Sequence, residues 1–349
     1  MATAPGRVEI DYPHRRAGHC GSGSLRDLLE FHGLWWGERP LSEGMAFGLG
    51  AGLHFTYVEL PAMAPPLYMV GRGAGLEGDL CRHLGVRVDH RQTDDPAEGW
   101  ALLKDSLDAG RPTMVNADIQ HLEYLRVRLQ MTMHVIVVTG YDEAEGVALV
   151  ADNDRDDIQR CSLDGLAQAR NSSGFPMPNR HSTWLLDFPD ALPDPRTAIR
   201  AGMAGAVENL RGRGEMLGVG PESLGLAGVE TFCRGYADWP QRYGDALAQA
   251  LSALRVFIVK AGTGGAMFRS LHARFLADST LLLDDPGLAA AAGLYEELSA
   301  AWVALAEAVG EGPEPADAHG YGTDEVARIA ALELAGVEAM ERWLASTDG

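Results

Sequence analysis

The chain has 349 residues, 46% hydrophobic and 22% charged, and its 49 acidic residues against 29 lysines and arginines give a formal net charge of −20. This composition is that of a globular protein with a large core, and the length favours two domains. The negative charge opposes binding to nucleic acid or to an anionic membrane, so we expect neither partner, whereas a cationic small molecule would be attracted. The same acidity is also typical of a surface that only maintains solubility.

The N-terminal stretch and the apolar runs of the chain bear on where in the cell the protein is found. The opening "MATAPGRVEIDYPHRR" lacks the apolar stretch of a secretory signal, and runs such as "HVIVV" are too short to cross a bilayer. We therefore expect a cytoplasmic protein.

The cysteines are widely spaced. No C-x-x-C pair or His/Cys cluster with metal-ligand spacing occurs among them, so the sequence predicts neither a disulfide framework nor a metal site. They are Cys20, Cys81, Cys161 and Cys233.

The first predicted element is a short helix in "RRAGHCGSGSLRDLLEFHG", residues 15–33. Its leucines recur at helical spacing, Ser22 or Ser24 is suited to cap it, and Gly33 is suited to end it. Cys20 then lies at or just before the helix N-terminus, where the helix dipole and the backbone amides favour a thiolate and are suited to stabilise an oxyanion. The alternative is that Cys20 is a small buried side chain. His14, six residues before Cys20, is a candidate second oxyanion donor.

The next stretch, "LSEGMAFGLGAGLHF", begins with Ser42 and Glu43, which are typical of a helix start. Glu43 is alternatively a substrate contact. The alternating glycines that follow lack the strand–turn–helix context of a dinucleotide site, and "GTGGAMFRSLHARFL" later in the chain lacks the ending of a phosphate-binding loop. We therefore predict no nucleotide cofactor.

A β-hairpin is predicted from "VIVVTG" and "VALVA", which are separated by "YDEAEG". If the turn is centred on Glu143, His134 lies nine residues before it and Asp152 nine residues after it. The two side chains are then cross-strand neighbours, close enough for Asp152 to accept a proton from the imidazole and orient it. Upstream of His134, Asp118 and Tyr124 either line a substrate pocket or belong to a packed polar loop.

A domain boundary is predicted at "FPDALPDPR", where three prolines interrupt regular structure. From Thr197 onward the chain is rich in alanine and leucine with helical periodicity, which predicts about six helices and no strand. We therefore predict an α+β chain: a papain-like catalytic domain over residues 1–190 and an α-helical domain over residues 197–349. The order cysteine, histidine, acid is the one that papain-like thiol enzymes use, so Cys20, His134 and Asp152 are the predicted catalytic residues.

The stretches "HCGSGSLRDLLEFHG", "LSEGMAFGLGAGLHFTY" and "HVIVVTGYD...VALVADND" resemble the N-terminal domain of the butirosin biosynthesis acyltransferase family. The helical half is similar to the domain usually attached to it. The histidine hairpin also resembles the bacteriocin-processing cysteine peptidases, whose aspartate is commonly followed by proline, whereas Asn153 follows Asp152 here.

This resemblance implies acyl transfer from the phosphopantetheine thioester of an acyl carrier protein, through an acyl-cysteine, to a small-molecule amine. It carries Cys20, His134 and Asp152 into the catalytic roles and implies no cofactor held by the chain itself. The alternatives are a cyclase, a cysteine hydrolase or peptidase, and a non-enzymatic binding protein; the helical half would cover the site or form a homodimer interface. Because carrier proteins are acidic, four arginines are candidate docking positions: Arg15, Arg16, Arg126 and Arg128.

Overall fold

The structure is a computed structural model that describes residues 6–212, 218–260, 264–310 and 322–346. It is an α+β chain that divides into two compact units. The first unit consists of Met1–Leu41 with Leu84–Leu192, and the second of Ser42–His83 with Pro193–Gly349. The division thus differs from the predicted contiguous one, because Ser42–His83 groups with the helical part of the chain.

The described residues of the first unit form seven strands and three helices. In chain order they are β1 (Arg7–Glu9), α1 (Cys20–Phe31), β4 (Arg87–Arg91), α4 (Pro96–Asp108), β5 (Thr113–Ala117), β6 (His134–Asp142), β7 (Val147–Ala151), β8 (Gln159–Ser162), α5 (Leu163–Asn171) and β9 (Thr183–Asp187). The elements α2, β2, β3 and α3 fall between α1 and β4 and are described below. Two 3₁₀ turns, Ile119–His121 and Glu123–Leu125, precede β6.

The seven strands form one antiparallel sheet in the order β4–β9–β5–β6–β7–β8, with β1 paired to the far end of β6. Helix α1 packs against β6, α4 contacts β5 and β6, and α5 contacts β5, β7 and β8. The core cluster of this unit joins apolar residues of these helices and strands, including Leu103, Val115, Ile136, Val150 and Leu166. Strand β6 is therefore the central element from which the site below is built.

Helix α1 begins and ends close to the predicted positions. It ends as expected, since Gly33 has φ +69° and the Gly33 and Leu34 amides donate to the carbonyls of Glu30 and Leu29. The cap differs from the prediction: the His19 side chain, rather than Ser22 or Ser24, accepts the Ser22 amide at 3.2 Å. An imidazole nitrogen therefore satisfies an amide of the first turn.

The β6–β7 hairpin has a different register from the predicted one. A bulge lies between Val138 and Gly140, and beyond it Val138 pairs with Val150 and Val137 with Ala151. Continued along β6, this register places Asp154 opposite His134, so Asp152 is a diagonal neighbour rather than the direct partner. The shift is two residues, which keeps both side chains on the same face of the sheet, because side chains alternate with period two.

The second unit contains helices at both of its chain segments and a two-stranded hairpin in its first segment. From Thr197 onward the described residues form helices and no named strand, as predicted. Its described elements are α2 (Glu43–Leu49), β2 (Leu53–Glu59), β3 (Leu67–Arg72), α3 (Leu76–Leu84), α6 (Pro195–Leu210), α7 (Gly225–Gly235), α8 (Trp239–Tyr243), α9 (Leu247–Val259), α10 (Arg269–Leu283), α11 (Ala289–Ala308) and α12 (Thr323–Ser346). Four short 3₁₀ turns lie between these helices: Pro221–Ser223, Tyr236–Asp238, Gly244–Ala246 and Pro286–Leu288.

Close packing explains why Ser42–His83 belongs to this unit. Helix α2 packs against α10, where a Cβ on Gly48 would lie 2.0 Å from the Phe275 ring. The fully buried Arg269 guanidinium pairs with Glu333 at 2.8 Å and also donates to the carbonyls of His54 and Gly71. One buried ion pair therefore joins the hairpin to two helices that lie far away in sequence.

One helix of the second unit, Pro286–Ala308, is long and apolar enough to cross a membrane by those two criteria. No such segment was predicted from the sequence. Within the unit, however, this helix buries Tyr295, Leu298, Trp302 and Leu305 completely. That burial is typical of a core helix.

Candidate active site

Cys20 is the first residue of α1 and is partly exposed. The other cysteines differ from it in their surroundings: burial raises the pKa of Cys81 and of Cys233 to about 12, and burial, followed by the Glu123 carboxylate, raises the pKa of Cys161. A raised thiol pKa leaves little thiolate at neutral pH. Cys20, at a helix N-terminus, has the position that favours a nucleophile.

His134, the first residue of β6, faces Asp152 and Cys20. Its Nε2 lies 3.0 Å from Asp152 Oδ2, and its side chain is only 15% exposed. Burial acts to lower the pKa of His134, but the Asp152 carboxylate and a hydrogen bond with Cys20 outweigh it, so the pKa is raised well above its ordinary value. Since Nε2 is engaged by Asp152, Nδ1 is the nitrogen that remains for the thiol.

Asp152 follows β7 directly and is fully buried. Burial acts to raise its pKa, but the charge of His134 and the hydrogen bonds to the carboxylate bring that pKa down to about 2. Tyr124 Oη donates to the same Oδ2 at 2.8 Å, and the Asp154 amide donates to Oδ1 at 3.1 Å. The carboxylate is therefore ionised at neutral pH and held in place from both oxygens.

The segment before Cys20 is fastened to the loop that carries Asp152. The Ala17 amide donates to the Asn153 carbonyl at 2.9 Å, and Asn153 Nδ2 donates to the Ala17 carbonyl at 3.1 Å. Asn153 stands where the peptidases that the histidine hairpin resembles commonly have proline, and its side-chain bond is one that proline has no group to make. Two reciprocal hydrogen bonds thus fix the distance between the nucleophile and the Asp152 loop.

His14 does not have the predicted role of an oxyanion donor. Its Nδ1 lies 3.1 Å from Asp27 Oδ2 and its Nε2 lies 3.0 Å from the Arg155 carbonyl, so both ring nitrogens face protein acceptors. Asp27 in turn accepts from Arg26 Nε at 2.8 Å. His14 therefore braces the segment before Cys20, and the spacing argument from the sequence was wrong on this residue.

The structure places the three candidate substrate contacts as follows. Tyr124 donates to Asp152, as described. Asp118 is fully buried and accepts from the Gln120 and Met131 amides and from Ser172 Oγ, which identifies it as a structural residue of the loops before β6. Glu43 begins α2 of the second unit, after the Ser42 cap that the sequence predicted.

Arg155 was not predicted as a site residue from the sequence. Its guanidinium donates to the Tyr124 carbonyl at 2.9 Å, and its amide donates to the Asp152 carbonyl at 3.0 Å. Tyr124 was likewise not predicted as the partner of Asp152. Neither contact has a local signal, because Tyr124 lies 28 positions from Asp152 and 31 from Arg155.

The fold and this geometry define an α+β protein whose first unit holds a thiol, an imidazole and a carboxylate in one hydrogen-bonded row. Residues 19–153 match the family described as butirosin biosynthesis protein H, N-terminal, and residues 164–345 match a domain of unknown function, DUF4872. The first match confirms the resemblance seen in the sequence. The second covers more than half of the chain, which therefore belongs to the DUF4872 family. No curated protein matches the chain.

Proposed function

We propose that the protein is a thiol-dependent acyltransferase that moves an acyl group from a carrier-protein thioester, through an acyl-cysteine at Cys20, to a small-molecule amine. The observation that carries this proposal is the row Cys20–His134–Asp152, with Tyr124 on the carboxylate. The family's name links its namesake to the biosynthesis of butirosin. We extend to this chain a role as an enzyme of antibiotic biosynthesis.

The first half-reaction acylates the enzyme. The Cys20 thiolate, paired with the His134 imidazolium, attacks the thioester carbonyl, and the tetrahedral oxyanion collapses with loss of the phosphopantetheine thiolate. His134 gives its proton to that leaving sulfur. The amides of Cys20 and Gly21, in the first turn of α1, are the backbone donors positioned for the oxyanion.

The second half-reaction transfers the acyl group. The amine nitrogen attacks the acyl-Cys20 carbonyl, neutral His134 takes the proton that the nitrogen loses, and the Cys20 thiolate leaves. The products are an amide and the starting ion pair. Asp152 stays ionised throughout: it holds the ring by Nε2 and stabilises the imidazolium.

A nucleophile at the start of a helix, beside a histidine that opens a strand of an antiparallel sheet, resembles the arrangement of papain-like thiol enzymes. This likeness supports the papain-like assignment of the first unit. The net charge of −20 supports a cationic amine as the acceptor, since an acidic protein concentrates cations near its surface.

The proposal is tested by incubating the protein with an acyl carrier protein that bears a butyryl thioester, together with a panel of polyamines and aminoglycosides. We expect a butyryl amide by mass spectrometry with the wild-type chain and none with Cys20→Ala. Cys233→Ala is the matched control, because it also removes a partly exposed thiol and should keep full turnover.

Three outcomes would contradict acyl transfer to an amine. Free butyrate alone across the whole amine panel would identify a hydrolase. With a carrier-bound ω-amino acyl chain, a ring-closed product formed without added amine would identify a cyclase. Full turnover by Cys20→Ala would exclude nucleophilic catalysis by this thiol altogether.

A further inference from the structure

Exposed apolar side chains are concentrated on two loops of the first unit, residues 126–133 and 172–179. Of the ten large hydrophobic side chains that are exposed among the described residues, five lie on these two loops. Leu129 and Phe175 are each 59% exposed. We call this set the apolar patch: Val127, Leu129, Met131, Phe175 and Met177.

The two loops lie side by side and are held together by hydrogen bonds. The Thr132 amide donates to the Phe175 carbonyl at 2.9 Å, Thr132 Oγ1 donates to the Gly174 carbonyl at 3.2 Å, and Gln130 Nε2 donates to Ser172 Oγ at 3.3 Å. A Cβ on Gly174 would lie 2.7 Å from the Gln130 side chain, so that side chain packs directly against the backbone of the second loop. The apolar patch is therefore one surface.

Buried polar side chains brace this surface from below. Asp118 accepts the Met131 amide with Oδ1 at 3.0 Å and Ser172 Oγ with Oδ2 at 2.6 Å, so one carboxylate joins the two loops. Asn179 accepts the Met133 amide at 2.9 Å and donates to the Ala169 carbonyl at 2.8 Å. An exposed apolar surface that is fixed in this way is typical of an interaction site.

The charge on the patch has the opposite sign to that of the chain. Residues 126–133 and 172–179 contain two arginines, Arg126 and Arg128, and no acidic residue, although the whole chain carries −20. Both arginines are exposed, and within the described ranges neither has an ion pair. Arg15, by contrast, pairs with Glu30 at 2.5 Å, and Arg16 lies 3.7 Å from Asp154.

We propose that the apolar patch, with Arg126 and Arg128, is the docking surface for the acidic carrier protein that presents the thioester to Cys20. This proposal rests on the proposed function. Charge complementarity selects an acidic partner, and the five apolar side chains supply the desolvated centre that such an interface needs. Loop 126–133 runs directly into His134, so a carrier bound there is next to the strand that begins the site.

Direct binding tests the surface without requiring catalysis. Three acidic acyl carrier proteins of unlike sequence, in the phosphopantetheine form, are titrated against the Cys20→Ala chain by calorimetry at low and moderate salt. We expect binding that weakens with salt. The double variant Arg126→Glu with Arg128→Glu should weaken binding at least about tenfold, and Leu129→Ser with Phe175→Ser should do likewise.

Control variants make the same kinds of charge and polarity change outside the apolar patch. Arg39→Glu with Arg111→Glu makes the same charge change at two exposed arginines outside these loops. Arg111 lies two residues before the start of β5, at the opposite end of that strand from Ala117, which pairs with His134. Leu281→Ser introduces serine at a leucine that is 80% exposed in the second unit. Both control chains should bind the carrier as the parent chain does.

The possible outcomes distinguish the docking surface from the chemistry at Cys20. Unchanged binding in both patch variants, or no binding of any carrier, overturns the docking surface, whatever Cys20 does. If only the patch variants lose binding, the docking surface is supported. If in that case the wild-type chain forms no acyl-enzyme, the proposed function is overturned and the docking surface is not. A wild-type dimer in sedimentation that the patch variants dissociate, with carrier binding retained, also overturns the docking surface by assigning the patch to self-association.

Acylation by a small thioester provides a further check. With butyryl-pantetheine, which needs no protein docking, wild type and the Arg126→Glu, Arg128→Glu variant should acylate Cys20 at equal rates. With the carrier-bound thioester the variant should show a KM raised at least about tenfold and a little-changed kcat. Equal losses with both donors would contradict a docking role.

Discussion

One carboxylate oxygen, Asp152 Oδ2, accepts from both His134 Nε2 and Tyr124 Oη. Replacing Asp152 by asparagine keeps the shape and removes the charge that most strongly favours a protonated His134. Burial then dominates and the pKa of His134 falls. We expect Asp152→Asn to acylate Cys20 roughly a hundredfold more slowly. As the pH is raised, this variant should lose activity at a lower pH than the wild type does, which moves the basic limb of its pH profile to lower pH. A pH profile of single-turnover acylation measures this, and an unmoved basic limb would contradict it.

Tyr124→Phe should shift that limb in the opposite direction. Without the phenol, the charge of Asp152 is less stabilised and acts more strongly on His134, so the pKa of His134 rises further and the basic limb moves to higher pH. The rate should fall less than about tenfold, because Asp152 and His134 still pair. The same pH profile is the measurement.

The control for this variant is Tyr141→Phe. Tyr141 Oη also donates to an aspartate of the first unit, Asp108, at 2.5 Å. Its removal takes away the same kind of bond outside the site and should leave the pH profile unmoved. If both phenylalanine variants behave alike, Tyr124 has only a structural role.

At the scale of elements, the close approach of α1 to the segment before it fixes the position of Cys20. A Cβ on Gly23 would lie 2.5 Å from the Ala17 Cβ and 3.6 Å from the Asn153 Cβ. We expect Gly23→Ala to lower the free energy of unfolding by about 1–3 kcal/mol and to slow alkylation of Cys20 by iodoacetamide. Denaturant titration and the alkylation rate are the measurements.

Gly78→Ala is the matched helical control, since a Cβ at Gly78 in α3 meets nothing within 4 Å. It should leave the alkylation rate unchanged and stabilise the chain slightly. An equal, small effect of both alanine substitutions would contradict a packing constraint at Gly23.

Elements whose pattern is local were predictable. Strand Val147–Ala151 has the bounds of the quoted "VALVA", and helix α1 ends before Gly33 as expected. The hairpin register was wrong by two residues because Asp142 pairs with Val147, which centres the turn between Ala144 and Glu145 rather than on Glu143. The bulge between Val138 and Gly140, which has no sequence signal, then moves the pairing back by one residue. His134 still reaches Asp152, because an even shift preserves the face of the sheet.

At the scale of the whole molecule, sequence order is a poor guide to which parts pack together. Ser42–His83 lies inside the first half of the sequence but belongs to the second unit. Its Phe47 stacks on Phe268 with ring centroids 5.5 Å apart, and its Phe55 lies 5.8 Å from Trp302. These partners lie about two hundred positions or more away, a separation over which neither periodicity nor local motifs carry information.

This division predicts the behaviour of a truncated chain that ends at Leu192. Such a chain keeps Ser42–His83 but loses the residues that bury its aromatic side chains, so we expect aggregation or non-cooperative unfolding. Near-UV circular dichroism and thermal unfolding of residues 1–192 are the measurements. A soluble fragment with a sharp, cooperative transition would show that the first half folds without the second.

The most direct test of the central claim is a rapid-quench experiment on the acyl-enzyme. Wild-type protein is mixed with a butyryl carrier thioester, quenched, digested and mapped by mass spectrometry, and a second sample is chased with amine before quenching. We expect a butyryl group on Cys20 and on no other cysteine, and we expect it to disappear in step with formation of the amide. Amide formation without any adduct on Cys20, or an adduct that persists in the presence of every amine, would contradict acyl transfer through Cys20.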